Sequence, residues 1–309
     1  MADDQPRTLS STQPAWRRVL PIVIAIGLMA FVLARVDWPS FTARLLVVRY
    51  PAFLAFMAVF VVALLSADTL ATVYVYRRTI KGLAFRDFWI VRGASYLPSM
   101  LNHHVGQAWI TYFVARAYGV DLRRMVGATL LVYASWGGCV LALACVAVLA
   151  AGLPAGWLAL PLGAGFGYLI LLGVKPARLA KGRVLGPLFD AGIQGHLVAM
   201  AMRAPHLLVL FLGTWLPFWF FGVEIPLVTA LVYVPVIMVA VTLPITPQGF
   251  GTRDALAAAF FQSFVVASSD DQRLAALAAA TATTAVALVG IEAIIGLALL
   301  RRASRLLPH

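Results

Sequence analysis

Leu243-Pro244-Ile245-Thr246-Pro247-Gln248-Gly249-Phe250-Gly251-Thr252-Arg253-Asp254 is the stretch on which the reading of this chain turns. It closes a region, Ile225 to Thr252, that contains no Asp, Glu, Lys or Arg. By hydropathy that region belongs in a bilayer, yet its prolines and glycines break a helix, and adjacent Arg253 and Asp254 end it. Unpaired N–H and C=O groups cost several kcal/mol each in hydrocarbon, so irregular backbone persists there only when protein buries it or when it lines a polar cavity. Transporters place substrate sites at broken helices of this kind. The stretch is therefore the first candidate functional region.

The surrounding chain supports the same environment. Only 12% of the residues are charged, against roughly 25% in a soluble domain. Met125 to Val174 carries no charge at all. That run is too long for one span of about 20 residues, and Gly152-Leu153-Pro154-Ala155-Gly156 divides it. No series of alternating ten-residue segments suggests a β-barrel. The expected fold is an all-α polytopic integral membrane protein with about seven to eight transmembrane helices. Spans are expected near 19–36, 51–76, 125–151, 156–174, 206–222, 225–243 and 274–300. Two re-entrant or broken helical segments accompany them, one at 93–118 and one after residue 243. Residues 1–15 read as a flexible cytoplasmic N-terminus, and 16–305 as a single transmembrane domain. The apolar run Val19–Ala34 follows Arg17 and Arg18. It exceeds the usual signal-peptide core and ends at Arg35 without a clear cleavage site, so it reads as a first span.

The formal net charge of +12 would suggest nucleic acid in a soluble protein. Here the positive residues flank spans, as the positive-inside rule requires, and no nucleic-acid module is present. Arg77, Arg78, Lys81, Arg86 and Arg92 form one cluster, and Lys175, Arg178, Lys181 and Arg183 another on a basic amphipathic stretch. This pattern places both termini in the cytoplasm. Such clusters also attract anionic headgroups, by about 1 kcal/mol per residue near the surface. Cys139 and Cys145 fall about 9 Å apart along one helix, too far for a disulfide; they read as packing residues.

Two polar foci emerge. Pro247, Gln248, Gly249 and Gly251 supply a turn with little side-chain bulk, and glycine lets backbone approach a ligand closely. A short helix begins beside Arg253, so free N–H groups and a forked cation would form an anion cradle. Asp254 would balance Arg253 or cap the helix; alternatively the pair only anchors a helix end. The second focus is Asn102, His103, His104, Gly106 and Gln107, read as a polar lining. Adjacent histidines on a helix point about 100° apart, and no HExxH pattern accompanies them, so no metal is expected. Asp68 and Glu292 sit inside apparent spans, where an acid costs roughly 2.5–3.5 kcal/mol on insertion scales. Each needs a partner, with Arg116, Arg253 or the histidines as candidates, and each is a candidate for proton coupling. Both could instead lie at a span's edge. No nucleophile elbow, P-loop or dinucleotide fingerprint occurs, so neither a catalytic set nor a cofactor is expected. Placing Gly106 against Gly251 sets Asn102 opposite Pro247, a faint sign of internal duplication.

Pro247-Gln248-Gly249-Phe250-Gly251-Thr252-Arg253-Asp254 resembles the Pro-Gly-Gly-x-Gly-x-Arg-Glu signature of the flippase-like integral membrane family. That family includes the transmembrane region of lysylphosphatidylglycerol synthase. Ser99-Met100-Leu101-Asn102 through Gly106-Gln107 is similar to its other pattern, an Asn, a Pro, a Gly-Glu and an Arg. The resemblance covers about 15–300. Gln248 stands for the first Gly and Asp254 for Glu. Upstream, His103-His104-Val105-Gly106-Gln107 replaces Pro-x-x-Gly-Glu, and Arg116 lies later than the expected Arg. The resemblance implies re-entrant helices and a role in moving or handling lipids.

The resulting expectation is a lipid transporter of the bacterial inner membrane that translocates an amphipathic lipid, anionic, phosphorylated or glycosylated. The alternative is a non-transporting membrane partner or anchor of a lipid-modifying glycosyltransferase. Membrane lipids are the expected partners in the first case and a lipid-modifying enzyme in the second.

Overall fold

The computed structural model describes residues 37–100, 102–242 and 251–307. The apolar run near 19–36 and the candidate residues Pro247, Gln248 and Gly249 lie outside the described residues. Among the described residues the secondary structure is helical, apart from one antiparallel bridge between Val223 and Val265. The order is α1 (Trp38–Val47), α2 (Tyr50–Tyr76), α3 (Phe85–Ala94), α4 (Tyr96–Ser99), α5 (His103–Ala117) and α6 (Leu122–Ala150). A 3-10 turn then leads into α7 (Ala159–Val174), followed by α8 (Ala177–Ala180) and α9 (Gly186–Trp215). The 3-10 segment Leu216–Phe221 extends α9, and α10 (Leu227–Thr242), α11 (Thr252–Phe261) and α12 (Asp270–Ser304) complete the chain.

Five of these stretches are long and apolar enough to cross a membrane: Tyr50–Tyr76, Leu122–Ala150, Ala155–Val174, Gly186–Phe221 and Asp270–Ser304. The expected span at 206–222 is corrected at its start. A stretch of 36 residues, Gly186–Phe221, replaces it, with its helix interrupted at Gly192, where φ is +59°. Its opening half carries Asp190, His196, Arg203 and Pro205, which dilute the hydropathy and hid it. Helix continues past Pro205, although the missing N–H leaves the Ala201 carbonyl without its intrahelical donor. The expected span at 225–243 overlaps α10, which covers 16 residues up to the edge of the described residues.

Two hairpins of opposite sense follow from the connections. Helix α2 ends and α6 begins at the same end of the molecule, where the Tyr76 hydroxyl lies 2.9 Å from Thr129 Oγ1. Between them α3 and α4 run inward as one arm that ends at Ser99, and α5 returns from His103. The stretch expected to be re-entrant or broken, 93–118, is thus a broken helical segment. Its arms meet at Gly106, where a Cβ would lie 1.8 Å from Ser99 Oγ. The second hairpin enters from the other end: α10 runs inward, α11 returns, and the Val223–Val265 bridge ties its two outer limits. Span, hairpin, span therefore occurs twice, as α2 to α6 and as α9 to α12, in opposite directions. The helix-starting caps Asn102 and Gly251 correspond in this arrangement, a register four residues away from the one that sets Asn102 opposite Pro247.

Charge divides the two ends. Arg77, Arg78, Lys81, Arg123, Arg124, Arg183, Arg301 and Arg302 gather where α2 ends and α6 begins. The opposite end carries Arg44, Arg49 and Arg273 with Asp37, Glu224, Asp270 and Asp271.

The apolar core is also in two parts. One cluster, including Phe53, Met57, Leu65, Trp215, Phe218, Phe261 and Ala276, surrounds the second hairpin. The other, including Val73, Tyr76, Phe88, Ile110, Met125, Leu131 and Leu299, surrounds the first. In lipid, such packing is driven by close contact and hydrogen bonding rather than by escape from water, so small residues carry it. At Gly213 of α9 a Cβ would lie 1.9–2.3 Å from three ring atoms of Phe60. Gly213→Ala is expected to cost roughly 1–3 kcal/mol by overpacking, read as a lower melting temperature of the purified protein and partly restored by Phe60→Leu. An unchanged melting temperature would contradict so close a contact.

Candidate functional site

Between the two apolar clusters lies a polar layer. Four spans each contribute to it at the height where their packing partners change. On α2, Leu65 belongs to one cluster, Val73 to the other, and Asp68 falls between them. On α9, Arg203 and His206 fall between Ala199 and Leu207; on α6, Ser135 falls between Leu131 and Leu143; on α12, Glu292 falls between Ile291 and Leu299.

Asp68 is the hub. Its Oδ2 accepts from Arg92 Nε of α3 at 2.5 Å, and its Oδ1 accepts from Arg203 Nη1 at 3.1 Å. All three side chains are largely buried, with Arg203 only 3% exposed. One carboxylate thus meets two guanidinium groups, and the trio carries one net positive charge. Ser95 accepts from Arg92 Nη1 at 3.0 Å, Ser135 accepts from Arg203 Nε at 3.3 Å, and the Tyr96 ring lies 5.6 Å from the Arg92 guanidinium carbon. Arg203 Nη2 is buried with no hydrogen-bond partner. Arg203 Nη1 lies 3.2 Å from His206 Nδ1. A guanidinium only donates, so His206 accepts there and is neutral, with its proton on Nε2. The Trp136 ring packs 5.6 Å from that imidazole.

The hairpin ends flank this hub. His103, the first residue of α5, is exposed and lies within electrostatic reach of Asp68, Arg92 and His206. Glu292 lies within electrostatic reach of both Arg92 and Arg253. Arg253 stands in the first turn of α11, whose leading N–H groups have no intrahelical acceptor. It also lines a cavity of about 60 Å³ with Thr214, Thr281 and Thr284 among apolar side chains. That volume holds a few waters, and Thr284 Oγ1 is buried there without a partner.

Several sequence expectations acquire definite geometry. Asp254 is a cap: its Oδ2 accepts from the Gly251 N–H at 3.0 Å. Gly251, at φ +81°, takes a backbone conformation that suits glycine. Asn102 is a cap too, accepting from the His104 N–H at 2.7 Å. His104 Nδ1 lies 3.1 Å from the Tyr133 hydroxyl on α6. Gln107 donates to the Tyr76 hydroxyl at 3.3 Å, in a network with Thr129 and Thr111 nearer the basic end. Gly106 serves the close approach of two backbones. Of the second focus, then, His103 lies within electrostatic reach of the hub, while Asn102, His104 and Gln107 are held by protein partners.

The partners foreseen for Asp68 are corrected. Arg116 and Arg253 do not pair with it; Arg92 and Arg203 do, with His206 at 3.9 Å. Arg92 had read as part of the surface cluster at 77–92, yet it points inward because α3 carries it into the hairpin. Arg203 had no place among the candidates. An arginine amid apolar residues, three positions before a histidine and two before a proline, is the signal that would have found it. Cys139 is buried and Cys145 half-buried, both as free thiols.

Among the described residues, no group of three or more His, Cys, Asp or Glu side chains is placed to share a metal ion. The arrangement can hold an anion, exchange one carboxylate for another and relay hydrogen bonds within the polar layer between the two apolar clusters. Comparison of the chain with protein-family models, with curated proteins and with solved structures returned no match.

Proposed function

We propose that the protein translocates an amphipathic lipid with an anionic headgroup between bilayer leaflets. The observation that carries this reading is the layer of ionisable groups at which two hairpins of opposite sense converge. Charged groups within spans are costly and mark substrate or ion pathways, and paired broken segments near mid-membrane are the architecture of alternating-access transporters. The headgroup would pass through the polar layer while its tails stay in lipid. Arg253 and the first turn of α11 would receive its charge. Arg92 and Arg203, with Asp68 as their resident anion, would receive it next, with Glu292 and His103 bordering the path. The charge asymmetry of the two ends supports placing the basic end in the cytoplasm and the protein in a bacterial inner membrane.

The test is leaflet exchange of a labelled anionic phospholipid in liposomes containing the purified protein. Arg253→Ala is expected to slow exchange by about tenfold or more, the loss of one charge-assisted contact, while its expression and elution profile stay normal. Normal exchange by that variant would remove Arg253 from the path. No exchange of any lipid by the wild-type protein would defeat the reading. It would favour the second one, a membrane anchor for a lipid-modifying enzyme docked on the basic end.

A further inference from the structure

Away from the polar layer, the basic end holds a cleft of about 290 Å³, near the lower size of small-molecule sites. It opens where α2 ends and where α6 and α9 begin. Arg78, Thr79 and Arg124 supply its cationic and hydroxyl side, Val75 and Ala128 part of its apolar floor, and Asp190 its one carboxylate. Arg78 is already oriented. Its Nη2 donates to the Tyr74 hydroxyl at 3.4 Å, its guanidinium carbon lies 5.7 Å from that ring, and its Nη1 abuts α9 where a Cβ on Gly195 would lie 3.0 Å away. The 29-residue helix α6 starts here and adds partial positive charge; α9, which starts beside it, is interrupted at Gly192. The neighbouring acid, Asp121, is engaged by the α6 cap and by Arg183 at 3.8 Å. The lining therefore keeps a net positive charge with a single acceptor carboxylate beside it.

We infer that this cleft binds the headgroup of an anionic membrane phospholipid whose phosphodiester carries a hydroxylated substituent. The phosphate sits between Arg78 and Arg124, the glycerol end lies against Val75 and Ala128, and the acyl chains leave into the bilayer. Asp190 accepts from the headgroup hydroxyl and disfavours a bare, doubly charged phosphate monoester. Basic pockets between helices at a membrane face recognise headgroups by this chemistry. The inference does not depend on the chain moving lipid: this lipid is held, and it joins α2, α6 and α9, the three helices that carry Asp68, Ser135 and Arg203.

Native mass spectrometry of the purified protein, titrated with phosphatidylglycerol or phosphatidylcholine, tests it. One phosphatidylglycerol is expected to be retained with at least about tenfold preference. Arg78→Gln with Arg124→Gln should lower retention by a similar factor, whereas Arg123→Gln, exposed and outside the lining, should not. Ala191→Phe fills the cleft without changing its charge and should also expel the lipid. Equal retention of phosphatidylcholine, or undiminished binding in both the double variant and Ala191→Phe, would overturn the assignment. So would displacement of the lipid by millimolar inorganic phosphate, which would mark a site for a free anion.

Discussion

Asp68→Ala is expected to be the most damaging single substitution in this chain. Among the described residues it removes the one carboxylate in contact with Arg92 and Arg203, and it leaves two guanidinium groups without it between apolar clusters. Breaking a buried ion pair from one side costs about 3–5 kcal/mol, because the surviving charge is stranded, whereas replacing every member with apolar groups is often close to neutral. The ordering of variants follows. Asp68→Ala should melt lowest in detergent. Adding Arg203→Met should recover part of the loss, since Arg92 retains Glu292 within reach. Adding Arg92→Met as well should recover most of it. The triple variant should then be folded and inactive in leaflet exchange, separating the cluster's structural role from its functional one. If Asp68→Ala melts with the wild type, the hub does not hold the two halves together.

The second large effect is expected at the tip of the first hairpin. In Gly106→Ala the new Cβ would lie 1.8 Å from Ser99 Oγ, 2.9 Å from its Cβ and 3.1 Å from its Cα. The last of these is backbone, so rotating the serine cannot relieve the whole clash and the arms must separate. Overpacking of this kind costs roughly 1–3 kcal/mol. Here it also carries His103 away from the hub, because Asn102 fixes the start of α5 only three residues before the clash. Melting temperature and leaflet exchange should fall together, and Ser99→Gly introduced into Gly106→Ala should restore part of both. A Gly106→Ala protein that keeps its melting temperature and its exchange rate would mean that the arms have slack.

Much of the fold was legible because hydropathy and helix breakers act locally. The charge-free run 125–174 and its Gly-Pro division predict α6 and α7, and the interruption near Asn102 predicts the first hairpin. Legibility failed where apolar and polar signals mix on one helix. Asp190, His196, Arg203 and Pro205 disguised the first half of the long stretch at 186–221. For the site, Asp68, Glu292, His103 and Arg253 stand out as polar residues in apolar surroundings. Their partners do not, because an ion pair between residues 68 and 203 is set by packing between distant helices. Caps are the converse case: Asn102 and Asp254 looked like ligands, and their side chains serve backbone N–H groups two or three residues away.

The packing of α12 bears on how the protein is assembled. A Cβ on Gly93 would strike Leu299, and a Cβ on Gly296 would strike Leu97, so the inward arm of the first hairpin lies directly on the final helix. That arm is too short to rest in a bilayer as an ordinary span, and Arg92 within it depends on a counter-ion from another helix, Asp68 of α2, which it shares with Arg203. During synthesis the segment 85–117 emerges long before residues 270–304 exist. It must wait at the membrane surface, or be shielded by the insertion machinery, until the last crossing is delivered. Truncation before Asp270 should therefore harm the first hairpin, remote in sequence, as severely as the end that was removed.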